Sequence, residues 1–303
     1  MPPPIRKTNF VPEWIDMEPR IPVPKIDWIT RKSLDVPYGD QSLQKMDIYY
    51  PESISEKYPV LILVHGGGFI GCDKRDWHFY PGFHALQRGF VLVSVNYRLA
   101  PASPFPAAVD DVKSAVSYLR KKAEDLQLDE GNFFLYGTSA GGNLVSYAGL
   151  DGGASKVNDF DYHVNAVAAL CPLINFCTWV RQVPWYITIL PQIRKMLVGY
   201  AGGIPKKTTQ SEMPANADSR IADSISPPAF YLQHGSKDWG VPMQQSIDFH
   251  KNLLESGKFK DGDLVLDILE GAPHAGAGPE FIEPKNVLPI LEFFERHINK
   301  KAY

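Results

Sequence analysis

The sequence is poor in cysteine, in excess basic charge and in long apolar runs, and each shortage excludes a class of protein. Its three cysteines, Cys72, Cys171 and Cys177, form no Cys-x-x-Cys pair and no cluster with histidine. Neither a zinc site nor a disulfide scaffold is therefore expected, and no metal is predicted. The net charge of −3 argues against nucleic acid as a partner, because phosphate binding needs a concentrated basic face.

Apolar segments long enough for targeting or membrane insertion are also lacking. No window approaches the roughly 18 consecutive apolar residues that a spanning helix needs. The first residues, "MPPPIRKTNFVPEW", contain no apolar stretch of signal-peptide length. With its sparse, odd set of cysteines, the chain is predicted to be cytoplasmic and to have no membrane partner. No sequence signal indicates an oligomeric state.

What the chain does contain is a regular alternation of apolar runs and helical patterns. Residues 1–32 are rich in proline and predict an irregular N-terminal arm. Strands are predicted at 32–39, 44–51, 59–65, 90–97, 132–137, 164–171, 229–235 and 264–271. Helices are predicted at Pro106–Asp125, Pro242–Ser256 and Val287–Asn299. The pattern predicts a single α/β domain, residues 1–303, with a mostly parallel sheet of about eight strands and helices on both faces.

One connection, residues 173–226, is too long for a simple loop. Its middle is aromatic and apolar, "TWVRQVPWYITILPQIRKMLVGY". Compact domains seldom carry such an insertion without a function, so a lid or pocket wall is expected, with additional core as the alternative. The candidate pocket residues are Trp179, Trp185, Tyr186, Ile187 and Leu190, which are equally compatible with the core of a lid.

The strongest chemical signal is Gly137-Thr138-Ser139-Ala140-Gly141, which follows a predicted strand and precedes a helical run. Gly-x-Ser-x-Gly in this context predicts a nucleophile elbow, a strained turn that lifts the serine hydroxyl above the sheet. The flanking residues must be small because strand and helix approach closely there. The N–H of Ala140 is expected to point at the oxygen of a substrate carbonyl.

A serine nucleophile needs a base and an orienting carboxylate. His274 follows the last predicted strand and Asp238 follows the strand before it, which gives the order Ser139, Asp238, His274 found in α/β-hydrolases. Asp267 is the alternative acid, but it falls inside a strand. Among the other histidines, His234 is predicted to serve packing at a strand end, and His78 is a loop residue with no supporting motif. The rest are predicted to be structural or solvated, namely His84, His163, His250 and His297.

The stretch "HGGGFIG", 65–71, matches the letters of a dinucleotide-binding fingerprint, Gly-x-Gly-x-x-Gly. No helix start follows it, and the next predicted strand ends in Asn96-Tyr97-Arg98, without the acidic residue that holds a ribose. A nucleotide cofactor is therefore not expected, and no other cofactor is predicted. Upstream of a nucleophile elbow, His-Gly-Gly-Gly instead predicts the second half of an oxyanion hole.

At this point the sequence resembles a known family. The motifs "HGGGF", "GTSAGGN", "YRLAPASPFPAAVDDV", "SPPAFYLQHGSKDWGVP" and "PHAG" are similar in order to those of hormone-sensitive-lipase-like and related carboxylesterases, over about residues 33–299. The runs "GGGFIGCDKRD" and 238–242 look most similar to small bacterial acetyl-xylan and feruloyl esterases. The resemblance implies an α/β-hydrolase fold, the triad Ser139, Asp238 and His274, and oxyanion donors at Gly67, Gly68 and Ala140.

The resulting expectation is a serine carboxylic ester hydrolase that forms an acyl-serine on a small-molecule ester. Short acyl groups are expected, including acetyl or feruloyl groups on carbohydrates. Thr138 stands where many relatives have aspartate, and the arm is shorter than their helical caps, which weakens any transfer of their substrate range. Two alternatives stay open: an amide-cleaving serine hydrolase of the arylformamidase type, and a non-catalytic ligand-binding protein of the same fold.

Overall fold

The computed structural model describes residues 21–152, 156–157, 160–205 and 213–299. Residues 1–20 of the predicted N-terminal arm lie outside this description. Residues 21–31 form no helix or strand, yet Ile21 and Ile29 are buried against the body of the protein. The described part of the arm is therefore irregular, as the proline content predicts.

In the described ranges, eight strands form the central sheet, and two short ones pair separately. The strands are β1 (Lys32–Pro37), β2 (Lys45–Tyr49), β3 (Tyr58–Val64), β4 (Val91–Val95), β5 (Leu128–Thr138), β6 (Lys156–Val157), β7 (Phe160–Asp161), β8 (Ala166–Leu170), β9 (Ala229–Gly235) and β10 (Leu264–Leu269). The sheet order is β1-β2-β4-β3-β5-β8-β9-β10, with β6 and β7 paired apart. Only the β1–β2 and β2–β4 pairs of the sheet are antiparallel. The predicted mostly parallel sheet is confirmed.

Helices cover both faces of this sheet. The described α-helices are α1 (Tyr80–Gln87), α2 (Ala107–Lys121), α3 (Ala140–Asp151), α4 (Phe176–Gln182), α5 (Pro191–Gly199), α6 (Gln244–Glu255) and α7 (Pro284–Arg296). Residues of α2, α3 and α6 share one apolar core with Val60 and Ile62, whereas α1 and α7 share the other with Leu61 and Leu63. This division follows from the period-two alternation of β3. In the described chain, no helix combines the length and apolarity needed to cross a membrane.

The carboxyl ends of β5, β8, β9 and β10 lie side by side, because these strands are parallel neighbours. Backbone hydrogen bonds connect the residues that directly follow these strands to the neighbouring strands. Ser139 N–H donates to Leu170 O at 2.7 Å, and Cys171 N–H donates to Gln233 O at 2.8 Å. The topology therefore gathers the loops that follow these strands at one edge of the sheet, where α/β proteins place their sites.

The predicted insertion 173–226 contains α4, α5 and two short 3-10 helices, Trp185–Ile189 and Ala217–Arg220; residues 206–212 lie outside the description. Two of its segments contact the same side chain on α3. Asn143 Nδ2 lies 2.8 Å from Leu173 O and 3.2 Å from Ala215 O. The insertion is thus anchored to the helix that follows Ser139, while its role as lid or pocket wall stays a prediction.

Candidate active site

Ser139 occupies a strained turn between β5 and α3. Its backbone φ of 56° and ψ of −114° lie where a non-glycine residue is rarely found. Neighbouring glycines make the turn possible, because a Cβ at Gly137 would overlap the carbonyl oxygen of Gly141, and one at Gly141 would overlap that of Val64. The pattern Gly-x-Ser-x-Gly is therefore required by the close approach of strand and helix, as the sequence predicts.

His274 and Asp238 form a directly bonded pair. His274 Nδ1 lies 2.6 Å from Asp238 Oδ2. The other oxygen, Oδ1, accepts the backbone N–H groups of Gly240 at 2.9 Å and Val241 at 2.8 Å. An ionised carboxylate only accepts hydrogen bonds, so the neutral imidazole carries its proton on Nδ1, and its Nε2 bears the lone pair that can accept a proton.

The electrostatics of the pair favour this charge state. Burial by itself raises the pKa of the Asp238 carboxyl, but the charge and hydrogen bonds of His274 and His234 outweigh it and hold that pKa well below its usual value. His234 is fully buried and its Nε2 lies 3.3 Å from Asp238 Oδ2. His234, which sequence reasoning assigned to packing, thus also supports the carboxylate.

The alternative acid, Asp267, lies in β10 and has other partners. It accepts the hydroxyl of Tyr231 at 3.0 Å and Nε2 of Gln233 at 2.9 Å. The structure therefore pairs His274 with Asp238. Proton transfer between Ser139 Oγ and His274 belongs to the proposed mechanism.

The glycines of the "HGGGF" segment form a tight loop beside Ser139. Gly67 and Gly68 have φ values of +93° and +60°, which favour glycine. Within the described residues their N–H groups donate no hydrogen bond, whereas Gly67 O accepts Ile70 N–H at 3.1 Å. Ala140 is the first residue of α3, so its N–H is one of the donors that a helix N-terminus leaves unpaired. These groups are suited to bind an oxyanion.

His78 is the residue that sequence reasoning missed. Although no motif supports it in the sequence, it is only 8% exposed, and its Nε2 accepts the N–H of Gly66 at 3.0 Å. Its Nδ1 is hydrogen-bonded to Asp76. The Asp-x-His pattern directly after the glycine loop is the only sequence signal that could have identified it.

The five candidate pocket residues differ in burial. Trp179 and Ile187 are buried, and Trp179 Nε1 donates to Gly240 O at 2.8 Å, which links α4 to the loop of Asp238. Trp185 and Tyr186 are exposed, and Leu190 packs partly buried against the core. Another insertion residue, Met196, lies beside the glycine loop, with its Sδ 3.9 Å from the position of a Cβ on Gly68.

Within the described ranges, two groups of side chains combine residue types that bind metals, each with ligand atoms within 4.8 Å of one another: Cys72, Asp76 and His78, and Cys171, Asp238 and His274. The second includes the His–Asp pair, so a metal there would compete with the hydrogen bond that fixes the imidazole. In the second group, burial raises the pKa of the Cys171 thiol well above its usual value, which opposes the thiolate form that metals bind. The expectation that no metal is bound stays a prediction.

The sheet order, the helices on both faces and the serine elbow define an α/β-hydrolase fold. Solved structures agree. A bifunctional GH43-CE protein of Bacteroides eggerthii superposes with a TM-score of 0.71 and 25% identity, covering 88% of this chain and 35% of that one. Esterase B of Lactobacillus rhamnosis gives a TM-score of 0.72 and 19% identity, covering 90% and 87%.

The family follows from the sequence comparison. The model of the BD-FAE family matches residues 46–253, and the chain belongs to that family. Among curated proteins, Esterase LipC of Mycobacterium tuberculosis is 27% identical over 272 residues, which cover 87% of this chain and 64% of LipC. The chain thus spans a little under two thirds of the length of that relative.

Proposed function

We propose that this protein is a serine carboxylic ester hydrolase that works through an acyl-serine intermediate. The observation that carries the proposal is the combination of a strained Ser139 with the bonded pair of His274 and Asp238 at the same edge of the sheet. Family membership and the esterase names of the relatives support it.

In the proposed reaction, His274 Nε2 accepts the proton of Ser139 while the serine oxygen attacks the ester carbonyl. The carbonyl electron pair moves to the oxygen, and the N–H groups of Gly67, Gly68 and Ala140 stabilise this oxyanion. Collapse of the intermediate expels the alcohol, which takes the proton from His274. Water then attacks the acyl-serine by the same route and releases the acid.

Short acyl groups are the proposed acid part of the substrate, and the surroundings of the glycine loop support this proposal. Met196 of α5 lies beside Gly68, and Phe69 stacks on Tyr200 at the end of α5, with ring centroids 3.8 Å apart. The insertion therefore packs directly against the loop that would hold the reacting carbonyl. We propose that it serves as a fixed pocket wall for acetyl to butyryl esters.

A carbohydrate is the proposed alcohol part. One solved neighbour is described as a truncated carbohydrate esterase from gut microbiota, with a TM-score of 0.73 and 18% identity over 91% of this chain. Trp239, which directly follows Asp238, is 69% exposed. An exposed aromatic ring next to the site is suited to stack on a sugar ring. Trp239→Ala is expected to raise KM for acetylated xylo-oligosaccharides and to leave KM for p-nitrophenyl acetate unchanged.

The test is a chain-length panel of p-nitrophenyl esters, acetylated xylo-oligosaccharides, methyl ferulate and a matched anilide. The wild-type protein is expected to hydrolyse esters with acyl chains from acetyl up to butyryl faster than the anilide. It should also be labelled by a fluorophosphonate. Ser139→Ala should lose labelling and lower kcat by a factor on the order of a million. Ser146→Ala is the matched control, because Ser146 lies in the same helix and its hydroxyl donates to Gly142 O, the one side-chain hydrogen bond that it makes within the described part of the chain. Normal turnover by folded Ser139→Ala would contradict the proposal.

A further inference from the structure

Gly66, the first glycine of the loop, is held between the ring of His78 and the serine elbow. Its N–H donates to His78 Nε2 at 3.0 Å. A Cβ added to Gly66 would lie 2.9 Å from that nitrogen, 3.0 Å from Thr138 O and 3.3 Å from Ser139 Cβ. One residue without a side chain thus separates His78 from Ser139, and the next two residues supply the proposed oxyanion donors.

The ring of His78 is itself fixed in one tautomer. Because Nε2 accepts an amide proton, the proton of a neutral imidazole must be on Nδ1, which is hydrogen-bonded to Asp76. Asp76 Oδ1 also accepts the backbone N–H of His78 at 3.0 Å. Burial raises the pKa of Asp76, but its bonds to His78 outweigh this and hold the pKa well below its usual value. The pair resembles the bonded pair of His274 and Asp238 but faces the glycine loop.

Trp77, which lies between Asp76 and His78 in the chain, connects this His–Asp pair to the loop of the proposed base, His274. The ring of Trp77 stacks on that of His78, with centroids 3.8 Å apart and an interplanar angle of 29°. On its other side Trp77 meets Gly276, two residues after His274, where an added Cβ would lie 2.6 Å from Trp77 Cζ2. The segment Asp76–His78 therefore contacts both the glycine loop and the loop of His274.

We infer that His78, oriented by Asp76, is a positioning residue that holds the N–H groups of Gly67 and Gly68 at the site of the developing oxyanion. The inference rests on the proposed esterase function and assigns His78 no contact with the substrate. Since hydrogen-bond donors act on the transition state only when they are placed in advance, loss of this support should lower kcat more than it raises KM.

Two substitutions separate the two nitrogen atoms of the ring. In His78→Gln the side-chain amide reaches the position of Nε2 and can still accept the Gly66 N–H. In His78→Asn the amide reaches only the position of Nδ1, so the bond to Gly66 is lost. We expect His78→Asn to lower kcat for p-nitrophenyl acetate by about 10- to 100-fold, as for a small misplacement of reacting groups, and His78→Gln to recover most of it.

A second readout isolates the oxyanion. A trifluoromethyl ketone adds Ser139 Oγ to its carbonyl carbon, the serine proton passes to His274, and the carbonyl electron pair becomes an oxyanion in the glycine loop. The Ki of this compound should rise in His78→Asn by the same factor by which kcat/KM falls. The Ki of acetate, which forms no such adduct, should change by less than about twofold.

Folding is checked by circular dichroism and Tm, and if His78→Asn does not fold, Asp76→Asn replaces it with the same expected result. The inference is overturned if the folded variant keeps wild-type kcat, if both inhibitors weaken equally, or if His78→Gln is no better than His78→Asn. Failure of the proposed function looks different, because the wild-type protein itself would then hydrolyse no ester and resist the fluorophosphonate, and the inference would fall with it.

Discussion

Replacing Asp238 by asparagine tests the site most sharply, because the structure fixes how the new side chain must lie. Oδ1 of Asp238 accepts two backbone N–H groups, at 2.9 and 2.8 Å. In Asp238→Asn the amide oxygen should take this position, since an NH2 group there would leave both N–H donors unpaired, at a cost of about 1–3 kcal/mol each. The NH2 group then faces His274 Nδ1.

A donor at this position reverses the tautomer of the imidazole. His274 must carry its proton on Nε2, which then cannot accept the serine proton. Restoring the active tautomer would require the amide to flip and lose two hydrogen bonds, roughly 2–6 kcal/mol in total. With the loss of the negative charge that stabilises the imidazolium, kcat is expected to fall on the order of ten-thousandfold.

The assay is p-nitrophenyl acetate hydrolysis, with thermal unfolding to confirm the native state. Asp267→Asn is the matched control, because Asp267 bonds Tyr231 and Gln233 instead of a catalytic candidate. It should keep kcat within about threefold of wild type, since only structural hydrogen bonds change. A folded Asp238→Asn with more than a tenth of wild-type kcat, or an inactive, folded Asp267→Asn, would refute the reasoning.

Three further substitutions test the surroundings of the site. Gly141→Ala should lower the free energy of unfolding by about 3 kcal/mol or more, because its Cβ would overlap a backbone carbonyl of β3. Gly203→Ala is the control, since a Cβ there meets open space, and urea unfolding should show no change in its stability. Burial lowers the pKa of His65 from 6.5 to about 4 in the folded protein. As the pH falls from 6.5 to 4, His65 is therefore protonated in the unfolded chain but not in the folded one, and the free energy of unfolding falls by up to about 3 kcal/mol. Urea unfolding of His65→Asn should show this pH dependence reduced by that amount, and an unchanged dependence would contradict the assignment. Trp179→Phe removes the 2.8 Å hydrogen bond to Gly240. It should lower the free energy of unfolding by about 1 kcal/mol and lower kcat severalfold. An unchanged kcat would show that α4 does not support the Asp238 loop.

Helix and strand boundaries show how far local patterns reach. The run of Val109, Val112, Val116 and Leu119 predicts helix to residue 125, whereas α2 ends at Lys121. Conversely, α7 begins at Pro284, three residues before the predicted start, since proline is tolerated in a first helical turn. Apolar periodicity locates the buried face of a helix, but the ends depend on capping and on what the next segment packs against.

The sequence by itself determined the α/β class and the serine elbow, because both depend on local properties: apolar period, strand order, and glycines where strand and helix nearly touch. Strand positions also favoured Asp238 over Asp267 as the partner of His274. Only the tertiary structure decided the contacts around the site: it set His78 against Gly66 and buried Trp179 against the loop of Asp238. These contacts join residues far apart in the chain, or depend on the exact path of a loop, and neither hydrophobic period nor motif spacing carries that information.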